Sequence, residues 1–212
     1  MILPAILTDD PAELRRQLQT LSALSPWIHV DIMDGLFVPQ RSVDPAALAD
    51  IPLGVQLELH LMVRNPLSAL EASHQPSVGR VLIHHEALAE YDRPRDVITR
   101  FPVPVGVALN PGTPLDAAEL YTPTADTIVL MGVTPGRQGQ SMDPATVERV
   151  ADAFRRFPAC PITVDGGVNA DTLLALRNAG AKRFVVGSAI IGAPDPAGTY
   201  RQLAHQLRET SP

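Results

Sequence analysis

Trp27-Ile28-His29-Val30-Asp31-Ile32-Met33-Asp34-Gly35 is a short apolar run carrying two polar residues and closing on Asp-Gly. Near-continuous runs of Val, Ile and Leu suit the strands of a parallel sheet that is buried on both faces. His29 and Asp31 stand two apart, so on a strand they project to the same face. Neutral imidazole and carboxylate together are ordinary ligands for Zn²⁺, Fe²⁺ or Mn²⁺.

Seven more runs of the same kind flank this one: Ile2–Leu7, Val55–Val63, Arg80–His84, Val103–Leu109, Thr127–Val133, Ile162–Val164 and Phe184–Val186. Amphipathic stretches lie between them. Pro11–Leu24 carries Leu14, Leu18, Leu21 and Leu24 at roughly helical spacing, with Asp10 placed as N-cap and Pro11 at the first helical position. Pro144–Phe157, Ala170–Ala179 and Pro196–Leu207 repeat the pattern, and Gly180 suits the residue after a helix end. Weaker helices are expected near Pro45–Ala49, Pro66–Ser73, Arg93–Arg100 and Pro114–Leu120. Alternating strands and helices imply right-handed parallel crossovers. Eight units imply closure into a (β/α)₈ TIM barrel, one α/β domain over residues 1–212, although a doubly wound open sheet would show the same alternation.

A barrel makes a prediction about position: functional residues belong at the carboxyl ends of its strands. The polar residues within the runs obey it. The third run reads Leu57-Glu58-Leu59-His60-Leu61-Met62, and the seventh ends Thr163-Val164-Asp165-Gly166-Gly167. His29, Asp31, His60 and Asp165 could therefore converge on one cation. Taken singly, His60 reads equally as a hydrogen-bonded core residue, and Asp165 as a turn or capping residue. Asp165-Gly166-Gly167 and Gly187-Ser188 follow the seventh and eighth strands, where barrels often bind phosphate through bare backbone N–H groups. Tight turn geometry would use the same glycines. Thr134-Pro135-Gly136-Arg137-Gln138-Gly139-Gln140-Ser141 after the sixth run is long enough for a lid, or is an ordinary surface loop.

Composition narrows the partners. The chain has 212 residues and a net charge of −6, which argues against nucleic acid or an anionic membrane. The single cysteine, Cys160, permits neither an intramolecular disulfide nor a cysteine-rich zinc site. No signal peptide is visible at Met1-Ile2-Leu3-Pro4 and no run is long enough to span a membrane, so a cytoplasmic enzyme is expected. Lys182 is the one lysine among the 17 basic residues.

In this order, the motifs resemble those of the ribulose-phosphate 3-epimerases over nearly the whole chain. The resemblance runs from Pro4-Ala5-Ile6-Leu7 through His29–Gly35, Phe37-Val38-Pro39, His60-Leu61-Met62-Val63 and Leu109-Asn110-Pro111-Gly112-Thr113. Asp165-Gly166-Gly167-Val168 and Gly187-Ser188-Ala189-Ile190 complete it. It implies a metal-dependent isomerase of carbohydrate metabolism, in the pentose phosphate pathway. Such an enzyme inverts carbon 3 of a ketose phosphate, D-ribulose 5-phosphate to D-xylulose 5-phosphate. His29, Asp31, His60 and Asp165 match the family's ligands to one divalent ion, Zn, Fe, Mn or Co. Asp31 and Asp165 also match its two acid/base carboxylates. Met33, Met62 and Met131 match methionines around the reacting part of the sugar. Gly166, Gly167, Gly187 and Ser188 match the phosphate site, and the loop with Gly139 matches the lid. Assembly into a homo-oligomer is a family-level expectation.

The chemistry suits those residues. One carboxylate takes the α-proton from one face, the other returns a proton to the opposite face, and a Lewis acid stabilises the enediolate between. The match has departures. Ala5 stands where the family usually has serine, Leu36 where it has histidine, Gln40 where it has asparagine, and Arg137 and Gln138 where it has phenylalanine and glycine. Another keto-sugar phosphate is therefore an alternative substrate, and a non-catalytic sugar-phosphate-binding barrel is an alternative function. The related decarboxylases need Asp-x-Lys-x-x-Asp on a strand, and Met33 occupies the lysine position. Schiff-base aldolases need a barrel lysine, and Lys182 precedes the eighth run, at the wrong end.

Overall fold

The computed structural model describes residues 1–48 and 54–209. Eight parallel strands pair in chain order and close on themselves: β1 (Ile2–Ile6), β2 (Trp27–Met33), β3 (Gln56–Met62), β4 (Val78–His84), β5 (Val105–Leu109), β6 (Ile128–Met131), β7 (Ile162–Asp165) and β8 (Arg183–Val186). The TIM barrel expected from the alternation of elements is the fold, and the open sheet is excluded by the β1–β8 pairing of Ile2 with Phe184 and Pro4 with Val186.

Alternation along each strand builds two shells. Ile28, Val30 and Ile32 of β2, Leu57, Leu59 and Leu61 of β3, and Val81 and Ile83 of β4 face outward, into the main core under the helices. The alternate residues fill the barrel. Leu82, Ala108, Val129 and Met131 form one interior cluster, and Leu3, Ala5 and Val185 another. Between these apolar plugs sit the polar interior residues His29, Asp31, Glu58, His60, Arg80 and His84, all buried.

The helices follow the expected signals. Helix α1 (Pro11–Ser22) starts at Asp10, whose carboxylate accepts a 2.8 Å bond from the Ala12 N–H, and it buries Leu14, Leu18 and Leu21. The remaining α-helices among the described residues are α2 (His85–Leu88), α3 (Pro94–Ile98), α4 (Asp116–Glu119), α5 (Thr146–Arg156), α6 (Leu173–Asn178), α7 (Ser188–Ile191) and α8 (Pro196–Glu209). Gly180 follows α6 with φ +113°, and a Cβ there would collide with the Phe154 ring. Two of the weak helices are 3₁₀ turns instead. Pro45–Leu48 is one, and Pro66–Ser73 resolves into Pro66–Ala69 and Ala72–His74. Both begin at proline after an Asp or Asn, a local start signal with too little apolar periodicity to extend it. Ala49, the end of the first expected helix, and residues 210–212 of the expected domain lie outside the described residues. Helices α2 and α7 are single turns whose lengths fall below any readable periodicity.

Candidate functional site

Strands β2, β3 and β7 deliver the four polar residues picked out by their spacing. The register sets Asp31 beside His60 and Met131 beside Asp165. One donor atom from each of His29, Asp31, His60 and Asp165 lies within 4.8 Å of all the others. His29 Nε2 is 3.1 Å from Asp31 Oδ1 and 3.7 Å from Asp165 Oδ2. His60 Nδ1 is 3.2 Å from Asp31 Oδ1 and 3.0 Å from Asp165 Oδ2. The two aspartates come from strands three places apart around the ring, so they enter the centre from different sides.

The electrostatics of the cluster call for positive charge. Burial alone would raise the Asp31 carboxyl, but hydrogen bonds from His29 and His60 hold it well below the usual range. Burial opposes a charge on either ring, yet the surrounding carboxylates outweigh it and hold both His29 and His60 above the usual histidine value. Protons on the imidazoles thus balance the carboxylates in the bare cluster, and a divalent cation would take over that balance. Two ring nitrogens and two carboxylate oxygens are a donor set that Zn²⁺, Fe²⁺, Mn²⁺ and Co²⁺ all accept.

Behind the ligand set lie charged residues to which the sequence alone assigned no role. His29 Nδ1 is 2.8 Å from Glu58 Oε1. Glu58 is wholly buried, and its other oxygen takes a 2.5 Å ion pair from Arg80. Burial would raise Glu58, but His29 and Arg80 hold it below the carboxylate range. Arg80 continues to Asp126 at 2.8 Å, Asp126 meets Arg183 at 2.8 Å, and the Arg80 guanidinium lies 4.8 Å over the Trp27 ring. One signal for this network was present: Glu58 shares its strand face with His60, and a buried charge requires a partner. His84 points inward and meets His60, whereas His85 begins α2 and bonds the Tyr121 hydroxyl at 3.0 Å.

A cavity of about 310 Å³ opens above the cluster. Asp31, His60, Met62, Met131 and Asp165 form part of its floor. Gly139, Gly166, Gly167, Gly187 and Ser188 also line it, all expected at a phosphate site or lid. Met33 packs beside Met62, which lines it, and Val38. Gly166 and Gly167 have φ +98° and +72°, so their turn needs residues without a Cβ. A Cβ at Gly167 would come within 2.7 Å of the Met142 backbone, so the β7 turn packs closely on the end of the loop after β6. That loop, residues 134–141, is pinned from within, as the Gln140 amide donates to the carbonyls of Thr134 and Arg137 at 2.8 Å each. Gln138 lies over Gly187: a Cβ at Gly187 would be 2.6 Å from the Gln138 Nε2. Arg137 is exposed and also lines the cavity. Leu36 is 67% exposed at the loop after β2. Among the described residues, no helix is long and apolar enough to cross a membrane.

Residues 1–191 match the model of the ribulose-phosphate 3-epimerase family. The chain is 34% identical to ribulose-phosphate 3-epimerase 1 of Cupriavidus necator, covering 98% of this chain and 91% of that one. It is 33% identical to the ribulose-phosphate 3-epimerase of Mycobacterium leprae, covering 100% and 97%. Among solved structures, KGPDC from Streptococcus mutans superposes with a TM-score of 0.73 at 13% identity, covering 98% of this chain and 96% of that one. That likeness speaks to the barrel alone.

Proposed function

The chain belongs to the ribulose-phosphate 3-epimerase family, and from that premise we propose that it interconverts D-ribulose 5-phosphate and D-xylulose 5-phosphate through Asp31 and Asp165 at a metal centre. It is an isomerase acting on carbohydrates. The observation that carries the finer reading is the meeting of two aspartates from strands β2 and β7 around two histidines at the mouth of the barrel.

His29, Asp31, His60 and Asp165 would hold the ion. When bound, a divalent ion supplies Lewis-acid stabilisation of the negative charge that grows on the ketose oxygens. The chain's own residues do the rest. One aspartate removes the carbon 3 proton, and the other donates a proton to the opposite face, inverting the centre. Running the reaction backwards exchanges their parts. Met62 and Met131 offer polarisable, water-free walls to the reacting carbons, with Met33 packed in support. Gly166, Gly167, Gly187 and Ser188 present backbone N–H groups to the phosphate, and the loop through Gly139 closes over it. We further assign residues 1–212 to one catalytic domain, working in the cytoplasm as a homo-oligomer. The lone buried Cys160 and the absence of disulfides among the described residues fit a reducing compartment.

The test is isotopic. In D₂O with a divalent metal, the enzyme should wash deuterium into carbon 3 of D-ribulose 5-phosphate while forming D-xylulose 5-phosphate. Metal binding without exchange on any ketose phosphate would reduce the protein to a binding barrel. Exchange without that product would move the activity to another keto-sugar phosphate, as the Ala5 and Arg137 departures would allow.

A further inference from the structure

We propose that His84 and Glu86 fix the tautomer of His60, so that its Nδ1 lone pair faces the cation site; they are positioning residues for a ligand histidine. This rests on the metal reading above.

The rings of His60 and His84 are nearly parallel, 12° apart, with their Nε2 atoms 2.9 Å from one another. Both rings are fully buried. Phe37 covers the His84 ring at 4.8 Å. On its other side, His84 Nδ1 faces Glu86 Oε2 at 3.4 Å. Among the described residues neither of those two atoms has a hydrogen-bond partner, so each is a buried polar atom whose one polar neighbour is the other, across an ion-pair contact. The second oxygen of Glu86 is committed, accepting from the Asn110 N–H at 3.1 Å and from the Thr113 hydroxyl.

With a cation on His60 Nδ1, which otherwise faces the Asp31 and Asp165 carboxylates at 3.2 and 3.0 Å, only one distribution of protons gives every remaining contact a donor and an acceptor. A ring nitrogen that binds a cation must be bare, so the proton of His60 sits on Nε2. His84 Nε2 must then accept it, and the His84 proton sits on Nδ1, aimed at the Glu86 carboxylate. The anion at the far end therefore dictates which nitrogen of His60 is free. His29 reaches the same end by a shorter route, since its Nδ1 meets Glu58 directly at 2.8 Å. Each ligand histidine thus has its far nitrogen tied to a carboxylate, one of them through a second ring. Such outer partners set the orientation and basicity of a metal-bound imidazole.

Glu86→Gln makes the sharpest test. Its amide oxygen stays with the Asn110 N–H and the Thr113 hydroxyl, which turns its NH₂ toward His84 Nδ1. His84 must then carry its proton on Nε2, opposing the N–H of His60. His84→Leu removes the acceptor altogether. His84→Gln keeps one, because its amide oxygen can accept from His60 while its NH₂ donates to Glu86. Zinc affinity by chelator competition and ring tautomers by ¹⁵N NMR are the readouts, with circular dichroism and thermal melts reporting the fold. Glu86→Gln and His84→Leu should weaken zinc binding roughly 10- to 100-fold, with His84→Gln much closer to wild type. Spectra of the zinc-loaded wild type should show His60 protonated on Nε2 and His84 on Nδ1, with His84 inverted in Glu86→Gln. A folded Glu86→Gln protein that binds zinc as wild type does would overturn the proposal. So would His84 protonated on Nε2 in the zinc-loaded wild type, a result that needs no variant to fold. If wild type binds no zinc, the metal reading fails and this proposal falls with it.

Discussion

In the proposed mechanism Asp31 carries two burdens, as a ligand and as an acid/base group, and its surroundings suit a carboxylate that must stay charged. His29 and His60 keep it ionised despite burial. Asp31→Asn should cut kcat by about 10²–10⁴-fold, the usual worth of a positioned proton-transfer group, while the circular dichroism spectrum stays unchanged. Full turnover by that variant would remove Asp31 from the mechanism. Glu86 offers a pH signature of a different kind. Burial works to raise it, but the bonds to His84 and Thr113 bring it down to about 2 from its ordinary 4.5. A carboxyl depressed in the fold adds stability above its unfolded pKa and loses it as pH falls through the folded one. The stability gap between wild type and Glu86→Gln, followed by urea unfolding, should therefore be constant at neutral pH. It should close between about pH 4.5 and pH 2.

The strands were readable because both of their faces are buried, which leaves long apolar runs in the sequence. Trp27–Met33 coincides with β2 to the residue. Polar residues at strand ends were readable too, since in a barrel those ends face the site. What did not show was pairing across strands. Glu58, Arg80 and Asp126 come from or beside β3, β4 and β6, and only the register makes them neighbours. The buried Glu58–Arg80 pair makes a prediction about these elements. Arg80→Met removes one partner and leaves a wholly buried carboxylate facing hydrocarbon. Breaking such a pair costs about 3–5 kcal/mol. A lower urea midpoint with an unchanged m-value would report it, and an unchanged midpoint would mean the pair contributes no stability.

Across the whole molecule, the candidate cation site joins strands β2, β3 and β7, so an ion bound there would tie distant parts of the ring together. Zinc at one hundred times its dissociation constant should stabilise the fold by about 2.7 kcal/mol. For a chain of this size that is a rise in Tm of roughly 5–10 °C, reversed by a chelator and absent in the His29→Ala, His60→Ala double variant. A melt indifferent to zinc would argue that the four residues hold no ion. The charged ladder from Glu58 through Arg80 and Asp126 to Arg183 has an effect at the moment the ring closes. Shifting β3, β4 or β8 by one residue turns its whole inner row outward, and the Glu58 carboxylate or a guanidinium would then be driven into the oily layer beneath the helices. Misaligned closures are thereby penalised severely, and the interior charges act as a proofreader that admits a single alignment of the staves.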